Sequence, residues 1–167
     1  MKPFLYVLNK QHGGKNLDEM NDDRFQKLTA YFKEHGYHYV VVDAKIEDEL
    51  KEFEGEEKEM MRGELGAHNN GIDGLIKAGY GLLGLETYLT TGEMETRAWT
   101  IKKGSTAPRA AAAIHSDFEQ KFIRAEVVAY DDLVSAGSFA EAKLKGKVRT
   151  EGKEYLVHDG DVIEFKI

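Results

Sequence analysis

Two short apolar runs with one amphipathic stretch between them constrain this chain more than any other feature. The runs "FLYVLN" at 4–9 and "YHYVVVDA" at 37–44 are short, rich in aromatic and β-branched residues, and bounded by polar residues. Both read as buried strands. Between them the polar loop "KQHGGKN" gives way to a helix. Asp22 or Asp23 caps it, Phe25, Leu28 and Phe32 share one face, and Gly36 stops it after about His35. Strand, loop, helix, strand is a βαβ unit, so the two strands are expected to run parallel.

The stretch 46–62, "IEDELKEFEGEEKEMMR", reads as one acidic helix with Ile46, Leu50 and Phe53 as its apolar stripe. Its eight carboxylates read as a solvated face rather than a metal site. "AHNNG" then breaks the chain, and 72–85, "IDGLIKAGYGLLGL", reads as a further helix. Its four glycines cost about 1 kcal/mol each relative to alanine. Packing must supply its stability, and Gly79 and Gly81 are expected to let another element approach closely.

The style changes after residue 84. "LETYLTT", "GE" and "METRAWTIKK" read as strand, tight turn, strand, with Trp99 and Ile101 on one face. "GSTAPRAAAAIH" starts a helix, with Ser105 or Thr106 as cap and Pro108 in the first turn. "FIRAEVVAY" alternates, placing Ile123, Ala125, Val127 and Ala129 on one side. Two short helices are expected in "DDLVSAGSFAEAKLKG", then short strands. Asp159-Gly160 marks a final hairpin turn, after which Ile163, Phe165 and Ile167 point inward. This order is the β-grasp, ubiquitin-like pattern. The expected organisation is an α/β lobe over 1–83 followed by an α+β β-grasp domain over 84–167.

Composition narrows the chemistry. The 167 residues hold no cysteine, which excludes disulfides, thiol nucleophiles and Cys-based metal sites. No apolar run reaches the roughly 18 residues that a membrane span needs. "MKPFLYVLNK" is too short and wrongly flanked for a signal peptide, so a cytoplasmic location is expected. The net charge of −7 argues against a strong, sequence-independent nucleic-acid binder. The first half, 1–83, carries −5 and the second, 84–167, only −2, which leaves room for a local basic face. The histidines at 12, 35, 38, 68 and 158 show no metal-ligand spacing, and no metal site is expected.

"RAWTI", "KKGSTAP", "IHSDFE", "FIRAEVV" and "DGDVIEF" together make residues 90–167 resemble the C-terminal TGS domain of the Obg-like, YchF-type P-loop GTPases and ATPases. The first half resembles the end of the same family's nucleotide-binding (G) domain. "KPFLYVLNK" looks like the strand that carries the base motif, Asn-Lys-x-Asp in ordinary GTPases and Asn-x-x-Glu in YchF-type proteins. Asn9 matches both patterns, Lys10 matches the first, and His12 matches neither. "VVVDAKIE" resembles the next base-contacting loop, with Ala44 and Lys45 at the contact positions. The resemblance thus implies Asn9, Lys10, Ala44 and Lys45 as nucleotide contacts. It also implies GTP or ATP with magnesium for the full-length family, and a role in translation near the ribosome or RNA.

The sequence contains no G-x-x-x-x-G-K-[ST], the loop that cradles phosphates and places a hydroxyl on magnesium. Taken alone, the chain is therefore expected not to hydrolyse nucleotide, and to be a C-terminal fragment or reduced paralogue. An N-terminal G-domain portion is an expected partner. Self-association through the exposed sheet edge is another.

Two further clusters invite a functional reading. His115, Asp117 and Glu119 could form an acid/base group, but at i, i+2 and i+4 they do not share a helix face, and no nucleophile accompanies them. Helix capping is the preferred reading, and no catalytic residue is assigned. Lys102, Lys103, Arg109, Lys121 and Arg124 flank the Ala-rich helix and are the candidate contacts to RNA phosphates. The alternative is a ubiquitin-like protein–protein adaptor without nucleic-acid binding. "IEFKI" lacks the Gly-Gly tail of a conjugated carrier.

Overall fold

The computed structural model describes residues 2–67, 71–92 and 95–167. It divides into two compact units, Met1–Leu83 and Gly84–Ile167.

In the first unit β1 (Leu5–Asn9) and β2 (His38–Val42) pair in parallel, from Leu5 beside His38 to Asn9 beside Val42. The crossover is α1 (Asp23–Glu34). Asp22 is its cap and accepts the Arg24 amide at 2.8 Å. The Arg24 side chain and amide hold the Asp22 carboxyl down at about 2. At the other end Gly36 has φ +65° and the Tyr37 amide returns to the Phe32 carbonyl at 2.8 Å, which closes the helix. Phe32 carries the packing: it is buried and its ring stacks on Tyr6 with centroids 4.8 Å apart. Leu28, expected beside it, is 38 % exposed.

The acidic stretch departs from the expected single helix. It forms α2 (Ala44–Leu50) and α3 (Gly55–Glu64). The chain turns between them because Glu54 is extended and Gly55 sits at φ +55°, which no continuous helix allows. Ile46 and Leu50 are buried as expected, while Phe53 lies in the turn. α4 (Gly71–Leu83) follows and packs on β1 and β2. Close approach at Gly79 and Gly81 does not hold, since a Cβ added at either meets no atom within 4 Å. His68 and most of "AHNNG" lie outside the described residues.

The second unit contains β3 (Leu85–Thr91), β4 (Thr96–Lys102), α5 (Ala107–Ala111), α6 (Ser116–Lys121), β5 (Arg124–Ala129), α7 (Tyr130–Ala136), α8 (Phe139–Leu144), β6 (Arg149–Glu151) and β7 (Asp161–Lys166). The five strands form one mixed sheet in the order β4-β3-β7-β5-β6, with β3 and β7 parallel. Glu93 and Met94 of the expected tight turn lie outside the described residues; the Gly92 amide meets the Glu95 carbonyl at 2.9 Å beside them.

Both faces of this sheet are covered, which the alternation in "FIRAEVVAY" did not foresee. Ala125 and Val127 pack with Tyr88, Ala107, Ala110 and Ile163 on one face. Val128 and Val162 pack with Ala142 on the other, beneath α7 and α8. Ile123 is 62 % exposed and Ala129 exposed, because each lies at or beyond an end of β5. Ile167 is likewise exposed beyond β7. The expected Ala-rich helix is cut short, and a second helix begins at Ser116.

Asp159-Gly160 is not a hairpin turn. β6 and β7 do not pair, because β5 lies between them. The turn is tied to β3 instead: Asp159 Oδ1 accepts the Thr87 amide at 2.7 Å, and the Gly160 amide donates to the Thr87 carbonyl at 2.8 Å.

Candidate functional site

A cleft of about 440 Å³ opens at the carboxyl ends of β1 and β2. Ligands of open α/β sheets bind outside those strand ends. Lys10, His12, Gly14, Asn16, Asp43 and Ile46 are among the residues lining it. The loop after β1 is held by Asn16, whose Oδ1 accepts the Gln11 amide at 2.8 Å and whose Nδ2 donates to the Gln11 carbonyl at 3.1 Å. Asp43 follows β2 directly and caps α2. Its Oδ1 accepts the Lys45 and Ile46 amides, both at 3.1 Å, while Oδ2 lies 3.6 Å from His12 Nδ1. On the far side Glu47 meets Arg62 at 3.0 Å, both side chains nearly enclosed.

The four residues expected to contact nucleotide separate into three situations. Asn9 Oδ1 accepts the Ala44 amide at 3.1 Å and so ties the two expected loops together. Lys10 lines the cleft, with its ammonium drawn to Asp18 at 3.2 Å and to Glu19. Burial works against that charge, but hydrogen bonds and charge from Glu19 and Asp18 carry its pKa above the ordinary lysine value. Lys45 points to Glu49 at 3.2 Å and does not line the cleft. Asn16 and Asp43 were missed. Asn16 is the Asx residue of a Gly-containing loop, and Asp43 is the cap that ends an apolar strand. Both signals were legible in the sequence.

Asn9 itself is not among the residues that line the cleft; its side-chain oxygen is engaged by the Ala44 amide. The lining contains the carboxylates of Glu19, Asp43, Glu47 and Glu64, of which Glu19 is paired with Lys10 and Glu47 with Arg62.

The second unit carries an open groove of about 550 Å³. Lys102 and Arg109 line it, with Ala112, Ala113 and Glu119. Of the other expected phosphate contacts, Lys103 is the exposed neighbour of Lys102 in the chain. Lys121 is engaged by Asp117 at 3.2 Å. Arg124 alternates with Ala125 and so lies on the sheet face of Glu126, away from the Ala-rich helix. The structure therefore gathers part of the expected set. His115 caps α6, its Nδ1 accepting the Asp117 amide at 3.2 Å, which accounts for "IHSDFE" without catalysis.

Comparison with known proteins gives one answer. The family model described as YchF-GTPase_C, protein of unknown function, matches residues 85–167. The ribosome-binding ATPase YchF of Bacillus subtilis (strain 168) is 54 % identical over 165 residues, which is 99 % of this chain and 45 % of that protein. Its namesake in Escherichia coli O157:H7 is 40 % identical over 165 residues, 99 % of this chain and 44 % of that protein. The chain thus spans somewhat under half the length of these relatives. The solved YchF GTPase of Schizosaccharomyces pombe superposes with a TM-score of 0.82 at 32 % identity, over 99 % of this chain and 43 % of that one. A GTP-binding protein from Pyrococcus horikoshii OT3 shares the fold, with a TM-score of 0.65 at 19 % identity over 98 % of this chain and 45 % of that one. The chain belongs to the YchF family and matches its C-terminal part.

Proposed function

We propose that this chain is the ribosome-docking part of a YchF-type nucleotide-binding protein. The second unit acts as its TGS module, and the first is the end of its G domain. The observation that carries this reading is the groove that brings Lys102 and Arg109 together on a β-grasp unit, with Lys103 exposed beside it. Cations gathered on an acidic protein favour a phosphate backbone as partner. The names of the relatives, ribosome-binding ATPases, point the same way. In the first unit Asn9 and Lys10 face the base of GTP or ATP. A phosphate-binding loop outside these residues supplies the chemistry with magnesium, in the cytoplasm. The chain by itself does not turn nucleotide over.

Co-sedimentation with purified ribosomes at low and physiological salt tests the docking. Lys103→Glu with Arg109→Glu should weaken it by tenfold or more at physiological salt, and Asn9→Ala with Lys10→Ala should leave it unchanged. Equal sedimentation of all forms would overturn the reading. The adaptor alternative draws on one feature: β4 is a seven-residue sheet edge with most of its residues exposed, which suits strand addition by an extended peptide. Binding to ribosomal proteins stripped of RNA, indifferent to the two charge reversals, would favour it.

A further inference from the structure

The groove on the second unit holds more than cations. Glu119, from α6, lines it together with Arg109, from α5. Opposite charges that share a groove ordinarily pair. Among the described residues, neither Arg109 nor Glu119 forms a salt bridge with the other or with any third group. Both side chains belong to exposed residues. Ala112 and Ala113 also line the groove, and contribute apolar methyl groups.

A purely phosphate-binding groove has no use for a carboxylate, which repels the backbone it must hold. An acidic peptide meets the same repulsion. A nucleobase does not. Uracil turns carbonyl oxygens toward any group that reads its pairing edge, and these clash with a carboxylate. Adenine and cytosine offer one amino group. Guanine alone offers two adjacent donors, N1–H and the N2 amino group, which one carboxylate accepts together. Its neighbouring major-groove edge presents O6 and N7, the pair of acceptors that an arginine fork grips. Such edges are reachable only when the base is unpaired and splayed out, as in the single-stranded loops that proteins read in RNA.

We propose that this groove takes an unpaired guanine of single-stranded RNA. Glu119 reads its N1–H and N2 amino group, Arg109 reads O6 and N7, and Ala112 and Ala113 support the ring. Lys102 and Lys103 lie beside it for the flanking phosphates. This deepens the docking proposal above and rests on it for the class of partner, but it adds a base preference that phosphate contacts alone cannot give.

The test uses the 167-residue chain and labelled RNA hexamers of uridine that carry one central guanosine, inosine, adenosine or uridine. The guanosine probe should bind roughly tenfold tighter than the all-uridine one, the discrimination expected of a good bidentate pair. Inosine, which lacks the N2 amino group, should lose a clear part of that advantage. Glu119→Gln should abolish the preference while affinity for the all-uridine probe holds or rises, since a negative charge is removed. A mere structural role for Glu119 would lower all affinities alike. Equal binding of the four probes, absence of hexamer binding, or a preference that survives in Glu119→Gln overturns the proposal. Ribosome co-sedimentation that persists in those cases leaves the docking reading standing, whereas loss of sedimentation with retained guanine preference removes docking alone.

Discussion

Among the described glycines, Gly71 is the one at which an added Cβ meets the closest contact. Its φ is +43°, and a Cβ built there falls 1.7 Å from Glu47 Oε1. That oxygen holds Arg62 at 3.0 Å in a nearly enclosed pair. Gly71→Ala must therefore strain the backbone and displace the pair, at a cost on the order of 3 kcal/mol. Urea denaturation of the variant checks this; a midpoint within error of wild type would refute it. A second prediction concerns Tyr155. Burial, then its hydrogen bond to Asp161 at 2.7 Å, pushes its hydroxyl up to about 12. A folded-state value above the unfolded one, near 10, gives stability fully present below pH ~10 and lost as pH rises toward ~12. Tyr88, raised by burial, adds to the same loss. In Tyr155→Phe the alkaline decline should be shallower, and an unchanged decline would exclude Tyr155 as its source. None of these contacts was legible in the sequence. Gly71 is the glycine of an Asn-Asn-Gly turn signal, and nothing local says that a carboxylate from Glu47 comes to rest against it. Capping was legible, because it is local: Asp22 and His115 sit where their helices begin.

At the scale of elements, periodicity located strands better than it measured helices. β1, β2, β3 and β7 lie where their apolar runs lie, since a strand buried on one or both faces writes its burial into consecutive residues. The helices were misjudged where glycine has two meanings. Gly55, inside the stretch expected as one helix, is the break between α2 and α3. At Gly79 and Gly81, expected as points of close approach, an added Cβ meets open space. The second error makes a prediction. Gly79 lies inside α4 at an ordinary helical φ, so Gly79→Ala introduces no clash and removes unfolded-state freedom. It should stabilise the first unit by about 0.8–1 kcal/mol. A thermal melt that falls instead of rising would mean that α4 packs through that glycine after all. The long-range part of the second unit was equally hidden. The order β4-β3-β7-β5-β6 places the last strand in the middle of the sheet, so Asp159-Gly160, a hairpin signal by its local chemistry, serves to hook β7 onto β3.

At the scale of the whole chain, the first unit offers its surroundings far more unmet bonding than the second. Its sheet has two strands, so β1 and β2 each turn one unpaired backbone edge outward, among the described residues. A two-stranded sheet is marginal without further cover. Apolar side chains lie open beside it: Phe4 is 46 % exposed, Val7 48 %, Ile72 45 % and Ile76 53 %. Strand edges flanked by apolar side chains are templates for pairing. The second unit instead has five strands with central members buried on both faces, and its two edges are β4 and the three-residue β6. The net charge of −5 on residues 1–83 opposes association and is screened by salt. The chain should therefore self-associate through the first unit, and more strongly as ionic strength rises, which is the opposite of an association driven by attraction between charges. Sedimentation velocity across a concentration series at two salt levels reads this directly. Hydrogen exchange adds the location: the amides of Leu5–Asn9 should exchange fast in dilute protein and slow down with concentration, while those of Arg124–Ala129 stay protected throughout. A monomer at every concentration with Leu5–Asn9 strongly protected would mean that the two strands and their helices are stable on their own. The open edge would then be a surface the molecule keeps without needing a partner.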